Sequence, residues 1–422
     1  MRQRIREKAI LVGIASRAVP RAVAEEHLDE LERLLDTAGG EEAGRFVKER
    51  SSPDPATFIG RGSVEEIGSA ATEAGAGLVV FDEELTPAQT RNLERHWEGV
   101  RVLDRPGLIL DVFASHARTR EARTQVELAQ LQYLLPRLAG RYKSLSGLRG
   151  GIGARGGAGE QKLELDRRRI RDRIARLRRD LSKIETAREV RRRGRRSYFQ
   201  VAIAGYTNAG KTTLFNRLAR QTEYAADQLF ATLDSRAARA ASPKLRDTVF
   251  LDTVGFVRKL PPGLVASFRS TLAEVRDADL VLHVLDASSP RVDEERQIAS
   301  EVLAELGVPP ERILTVWNKR DLPGAFLSPG AVRVSAKTGE GIEELERQIM
   351  RRARPESGSL RLRIPYRDGR AIAAVRARHR VIAEESQGDC LVMTVAGPVD
   401  RLGTLRQYLL APPASGIALA GA

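Results

Sequence analysis

Eight residues constrain this chain more than any others: Gly205-Tyr206-Thr207-Asn208-Ala209-Gly210-Lys211-Thr212 fits the pattern G-x-x-x-x-G-K-[ST]. The pattern works where a strand gives way to a helix, because backbone N–H groups must close around phosphate oxygens at the helix N-terminus. That context is present. An apolar, strand-like run at 199–204 precedes the motif, and a helix-like stretch at 213–220 follows it. The fold expected is an open α/β sheet with its ligand at the carboxyl ends of the strands. Lys211 is expected to reach the β/γ-phosphates, the Thr212 hydroxyl to sit on Mg²⁺, and Thr213 to continue the cradle.

Three more motifs follow in order, each at the end of a β-like run. Asp252-Thr253-Val254-Gly255 follows 249–251. Its Asp252 carboxylate would hold Mg²⁺ through water, and the Gly255 N–H would face a γ-phosphate. Asn318-Lys319-Arg320-Asp321 follows 313–317. An Asp placed as Asp321 is can accept both N–H groups of guanine's N1/N2 edge. Adenine lacks that pair, so a wrong base leaves a buried acceptor unpaired. Ser335-Ala336-Lys337 follows 332–334, where a backbone N–H can bond guanine O6. Thr232, between the phosphate loop and Asp252, is the expected switch threonine and a third Mg²⁺ ligand, ordered by γ-phosphate and metal. GTP and GDP are the expected ligands.

The residue after Gly255 is Phe256, where many regulatory GTPases place a Gln that orients the attacking water. A phenyl ring cannot do this by hydrogen bonding, so the catalytic group is unassigned and hydrolysis is expected to depend on another group or on a partner. Asn208 has two readings: a ligand for K⁺ near the phosphates, or a brace for the loop. Arg236, Arg239 and Arg258 flank the switches as alternative charge donors.

A chain of 422 residues is expected to form about three domains. A single cysteine, Cys390, excludes an internal disulfide framework and fits a reducing compartment; it reads as a buried apolar residue. The five His show no metal spacing. No apolar run is long enough to span a bilayer, and the basic start Met1-Arg2-Gln3-Arg4-Ile5-Arg6 leads into a short strand-like stretch at 9–15 that does not read as a signal peptide. A cytoplasmic monomer is expected, able to associate peripherally with a membrane.

The formal net charge is +14, and it is unevenly spread. Residues 141–196 carry 20 Lys/Arg against 7 Asp/Glu, an excess of +13, leaving +1 for the rest. Such a concentration implies a polyanionic partner, nucleic acid or an acidic membrane surface. Leu128, Leu131, Leu135 and Leu138 form one apolar helical seam; Ile170, Ile174, Leu177, Leu181 and Ile184 form another. Two antiparallel helices packed seam to seam are expected, the first bent or shortened by Pro136, with a Gly/Arg loop at 140–159 between them. A membrane-surface role would need an apolar face left free, and this arrangement uses both seams internally.

Residues 9–118 alternate strand-like runs (9–15, 77–82, 100–103) with helical ones (22–35, 63–73, 87–97), which suggests a parallel α/β domain. In Gly60-Arg61-Gly62-Ser63, a helix start, Ser63 reads as the N-cap. The tail offers strands at 360–364, 381–384 and 391–395 and helices at 369–378 and 399–410. The fold class is therefore α/β. It comprises an N-terminal parallel α/β domain (1–118), a basic antiparallel helical hairpin (119–196), a central P-loop GTPase domain (197–355) and a small α+β C-terminal domain (356–422).

Beyond these motifs the chain resembles the HflX family of ribosome-associated GTPases, relatives of the translation factors. Arg105-Pro106-Gly107-Leu108-Ile109-Leu110-Asp111-Val112-Phe113 carries the resemblance, as do Gln125 through Leu138, Glu160-Gln161-Lys162-Leu163-Glu164-Leu165-Asp166-Arg167-Arg168-Arg169-Ile170, and the hydrophobic Phe256. It covers about residues 5–410. It implies a GTP hydrolase that binds the large ribosomal subunit and splits stalled or stressed 70S ribosomes, its helical loop entering the peptidyl-transferase region. Arg141, Lys143, Arg149 and Arg155 are then the expected rRNA contacts. The alternative is a GTP-timed assembly factor that binds rRNA without splitting. The resemblance also implies ATP at the N-terminal domain, where the sequence holds no second phosphate loop.

Overall fold

The computed structural model describes residues 6–138, 158–195, 198–220, 236–259, 269–323, 325, 331–353, 359–396 and 399–410. An N-terminal sheet joins β1 (Glu7–Ala15), β2 (Gly40–Glu49), β3 (Leu78–Phe81) and β4 (Arg101–Asp104) in the order β2-β1-β3-β4, all parallel. Successive side chains of β1 point to opposite faces. Ala9 and Leu11 pack with α1 (Arg21–Ala38) and α4 (Arg105–His116); Ile10 and Val12 pack with α2 (Arg61–Ala74) and α3 (Pro87–His96).

The caps explain several boundaries. Thr86 and Gln89 form a reciprocal capping box at α3. At α4, Asp104 caps by accepting from the Gly107 N–H at 2.9 Å, and Pro106 sits in the first turn. The expected cap at α2 is corrected: Gly60 is the N-cap, with no side-chain bond, and Ser63 lies inside the helix. Two elements of this N-terminal unit were absent from the sequence reading. Strand β2 has few apolar residues and no buried alternation, and α4 is apolar over most of its surface because it is buried between layers.

The helices α5 (Arg120–Arg137) and α6 (Ala158–Arg195) form the hairpin. Leu128, Ile174 and Leu177 are buried between them, with Leu131, Leu135, Ile170 and Leu181 packed around. Pro136 lies one residue from the end of α5. The segment 140–157 of the Gly/Arg loop, with Arg141, Lys143, Arg149 and Arg155, lies outside the described residues, as does Thr232.

The central sheet has the order β10-β9-β8-β5-β7-β6. Its strands are β5 (Phe199–Gly205), β6 (Arg236–Arg239), β7 (Thr248–Asp252), β8 (Leu280–Asp286), β9 (Ile313–Asn318) and β10 (Val332–Arg333), and all pair in parallel except β6. The described helices are α7 (Lys211–Ala219), α8 (Arg269–Arg276), α9 (Val292–Glu305) and α10 (Ile342–Ala353). The tail forms an antiparallel sheet, β11 (Ser359–Pro365), β13 (Cys390–Ala396) and β12 (Arg380–Gln387), backed by α11 (Gly369–Arg378). Two tail expectations change. Val399–Tyr408 is 3₁₀, with Gly403 weakening α-helix at its middle. Cys390 is only partly buried, at the start of β13. No helix among the described residues is long and apolar enough to cross a membrane.

Candidate functional site

The phosphate loop begins where β5 ends. Gly205 has φ +150°, and a Cβ there would stand 2.2 Å from the Val284 carbonyl oxygen of β8. Glycine is therefore required by close backbone approach as well as by the turn. The loop ends as α7 starts at Lys211, so the free N–H groups of that first turn face the ligand position.

The base-reading motifs brace this loop. Asn318, at the end of β9, donates from Nδ2 to the Ala209 carbonyl at 2.8 Å and accepts from the Ala336 N–H at 2.9 Å. One buried side chain thus ties the phosphate loop to Ser335-Ala336-Lys337. Arg217 of α7 donates to the Ala336 carbonyl at 3.1 Å. The Lys319 ammonium meets Asp286 at 2.7 Å. Asp321 is exposed, and the Ser335 hydroxyl, Lys337 and Lys319 hold its carboxyl below the usual range. It can therefore meet a guanine edge as a full anion.

The position expected to hold a metal offers oxygen donors. Thr212 Oγ1 donates to Asp252 Oδ2 at 3.0 Å. A hydroxyl and a carboxylate side by side are the hard donors Mg²⁺ takes, with water completing its octahedron, so the residues fit the ion. Thr253 is buried and donates to the Ile203 carbonyl at 2.7 Å, which anchors the strand end that carries Asp252. Lys211 is buried and donates from Nζ to the Tyr206 carbonyl at 2.5 Å. Burial pushes its amine down to about 8, against the opposing pull of Asp252.

Asn208 takes a left-handed backbone, φ +60°, and its side chain is exposed. It makes no hydrogen bond among the described residues, so no contact here serves the bracing role. Phe256 is buried and closes on the loop through its backbone. Its N–H donates to the Gly205 carbonyl at 3.0 Å, and its carbonyl accepts from the Thr207 N–H at 2.8 Å. With Val257 its ring packs into a core that also holds Leu28, Leu31, Leu108 and Val112 from the N-terminal sheet's helices.

A buried charge cluster, unread in the sequence, sits at that junction. Glu30 of α1 meets Arg105 at 2.5 Å and Arg258 at 2.6 Å, and accepts from the Tyr206 hydroxyl at 2.9 and 3.0 Å. The Tyr206 hydroxyl in turn accepts from the Arg258 N–H at 3.0 Å. Arg258 also meets Glu294 of α9 at 2.9 Å. Asp82, just past β3, pairs with Arg105 and, at 2.6 Å, with Lys259, which also reaches Glu83 at 2.6 Å. Burial alone would raise the Glu30 carboxyl, but the guanidiniums of Arg105 and Arg258 outweigh it and hold it below the usual range.

Two of the three candidate arginines are thus committed elsewhere: Arg258 to Glu30 and Glu294, and Arg239 to the Tyr198 hydroxyl at 2.6 Å. The sequence signal for Glu30 was a carboxylate on the α1 stripe of Ala24, His27, Leu28, Leu31, Leu34 and Leu35, all of which are buried.

Three family models cover the chain in succession: GTP-binding GTPase N-terminal over residues 25–114, GTP-binding GTPase Middle Region over 116–195, and 50S ribosome-binding GTPase over 200–319. A GTPase HflX from Lacrimispora saccharolytica is 41% identical over 409 residues, 95% of this chain and 96% of that one. A GTPase HflX from Escherichia coli is 44% identical over 359 residues, 82% of this chain and 83% of that one. Among solved structures, the chain is similar to a GTP-binding protein from the archaeon Sulfolobus solfataricus in complex with GDP, at 25% identity and a TM-score of 0.43, covering 83% of this chain and 100% of that one. With the motif residues brought together at the ends of β5, β7 and β9, and with such identity over nearly its whole length, the chain belongs to the HflX family and is a GTP hydrolase.

Proposed function

We propose that this GTPase binds the large ribosomal subunit through its basic hairpin and uses the GTP cycle to split stalled or stressed 70S ribosomes. The observation that carries the reading is the disposition of charge. The apolar seams of α5 and α6 face each other, so Arg168, Arg169, Arg171, Arg176, Arg178 and Arg179 stand exposed on α6, where Leu165 is the one large apolar side chain exposed among its described residues. A stripe of guanidiniums suits a phosphate backbone better than a lipid surface, which needs an amphipathic face. The family description of a 50S ribosome-binding GTPase supports the same partner.

In this reading the chain divides at about 118, 196 and 355, and Arg141, Lys143, Arg149 and Arg155 contact rRNA. Gly205 through Thr213 cradle the phosphates, Asp321 selects guanine, and a backbone N–H of Ser335-Ala336-Lys337 meets O6. Thr212 and Asp252, with Thr232, hold Mg²⁺, Asp252 through water. When bound, that ion neutralises charge on the β- and γ-oxygens. Lys211 moves from the Tyr206 carbonyl to the phosphates, and Asn208, exposed beside them, would serve in this reading as the K⁺ ligand.

The test is GTP turnover with and without purified large subunits, at fixed K⁺ and salt. Strong stimulation is expected, since Phe256 cannot orient water and a partner must complete the site. Normal GTP binding without stimulation would remove the ribosome from this reading. Dissociation of intact 70S particles then separates splitting from an assembly role, which would instead favour immature subunits.

A further inference from the structure

The geometry around Gly255 concerns which nucleotide the site prefers. Gly255 sits so close to the phosphate loop that a Cβ on it would lie 2.8 Å from Lys211 Nζ and 3.0 Å from the Thr207 Cα. Lys211 can swing toward a γ-phosphate, but the Thr207 backbone beside Gly255 cannot give in the same way, so a γ-phosphate held by both Lys211 and the Gly255 N–H asks Gly255 to lift. GDP lacks that group and asks for no such movement. The residues that follow Gly255 are not free to lift. Phe256 is hydrogen-bonded to Gly205 and Thr207. Arg258 is held by Glu30 at 2.6 Å, and Lys259 by Asp82 and Glu83 at 2.6 Å each. Glu30 and Asp82 are themselves fixed by the fully buried Arg105, and Glu30 grips the loop directly through the Tyr206 hydroxyl.

We propose that Glu30 and Asp82 are positioning residues that set the preference of the site between GDP and GTP, by holding the segment after Gly255 down on the phosphate loop. Neither touches nucleotide. Each acts through a cation of that segment, Arg258 or Lys259. Thermodynamic reciprocity gives the converse: a bound γ-phosphate loosens the same contacts, and with them the seat of the N-terminal sheet on the central one. The inference rests on the proposed placing of Lys211 and Gly255 at the γ-phosphate.

The experiment measures dissociation constants of the full-length chain for GDP and for a non-hydrolysable GTP analogue, in the wild type, Glu30→Gln and Lys259→Met. Glu30→Gln keeps the size and an acceptor for Tyr206 but loses the charge; Lys259→Met acts at a partly exposed cation. The expected result is tighter analogue binding, roughly tenfold for Glu30→Gln and threefold for Lys259→Met, with GDP affinity within about twofold of wild type. Equal weakening of both nucleotides would mean that the cluster only holds the fold together, and would overturn the proposal. An unchanged ratio in Lys259→Met would overturn it too, and decides the matter if Glu30→Gln does not fold. Asp321→Asn, measured alongside, tests the site itself: if it leaves guanine selectivity intact, the nucleotide site and not the clamp has been misread.

Discussion

Asp321 carries its charge at the surface, and Lys211 has its own almost entirely removed from water. The two therefore fail differently. Asp321→Asn replaces an acceptor with a group that donates on one side, so it should weaken GTP by about 10- to 100-fold and admit xanthosine nucleotides, a loss of roughly 1–3 kcal/mol for the unpaired edge. Competition binding with GTP, XTP and ATP checks this. For Lys211, burial sets the amine at about 8 in the free protein, and phosphate oxygens favour its charged form. Below pH 8 the amine is already protonated and affinity should be flat. Above pH 8 binding must take up a proton, and affinity should fall by up to about tenfold per unit. Titrations of GDP binding between pH 7 and 9.5 would show the break. Both residues can be singled out in the sequence because each sits at a fixed offset in a motif whose chemistry asks for that residue type. Glu30 cannot be: its place on the apolar stripe of α1 marks a buried carboxylate, but the partner that gives it a role, Arg258, lies 228 positions away.

Elements were legible where turn residues, a clear period or a motif bounded them. The strands β5, β7 and β9 were read within a residue or two because turn residues and a motif bound each of them. β8 was passed over: six of its seven residues are buried, so no alternation marks it, and no motif follows it. Its one polar interior residue is His283, whose Nε2 has no hydrogen-bond partner among the described residues. Burial, with Arg296 nearby, pushes this imidazole down to about 4 from 6.5. The folded state thus resists a proton that the unfolded chain accepts. The sign follows: the stability is present in full above about pH 6.5 and is lost as pH falls toward 4, to a total on the order of 3 kcal/mol. His283→Leu should flatten that part of the acid limb in urea melts at pH 4–7, whatever it does to stability at pH 7. The hairpin shows the opposite balance. Its seams were plain from spacing alone, while the bidentate Arg173–Glu127 pair at 2.7 and 2.8 Å joins two exposed side chains, where solvent screens it.

At the scale of the whole molecule, the central sheet and the N-terminal sheet meet at one junction. The core that receives Phe256 is continuous with the core of the N-terminal sheet, so the nucleotide site and the base of the hairpin share a foundation. Neutralising Arg149 and Arg155 together should weaken ribosome binding several-fold and lower the slope of log affinity against log salt by about 2, one for each lost phosphate contact. Binding measured from 50 to 300 mM KCl checks both effects, and an unchanged slope would mean that neither arginine meets phosphate. The partition of charge has a consequence of its own. An excess of +13 lies between residues 141 and 196, and the remainder of the chain is near neutral at +1; most of that excess rides on or beside a helix about 57 Å long. The protein is therefore a dipole, and a polyanion exerts a torque on it as well as a pull. Within about a Debye length, near 10 Å in 0.1 M salt, that torque turns the molecule hairpin-first before any surfaces touch. Orientation is settled during approach, so salt should slow arrival far more than it speeds departure.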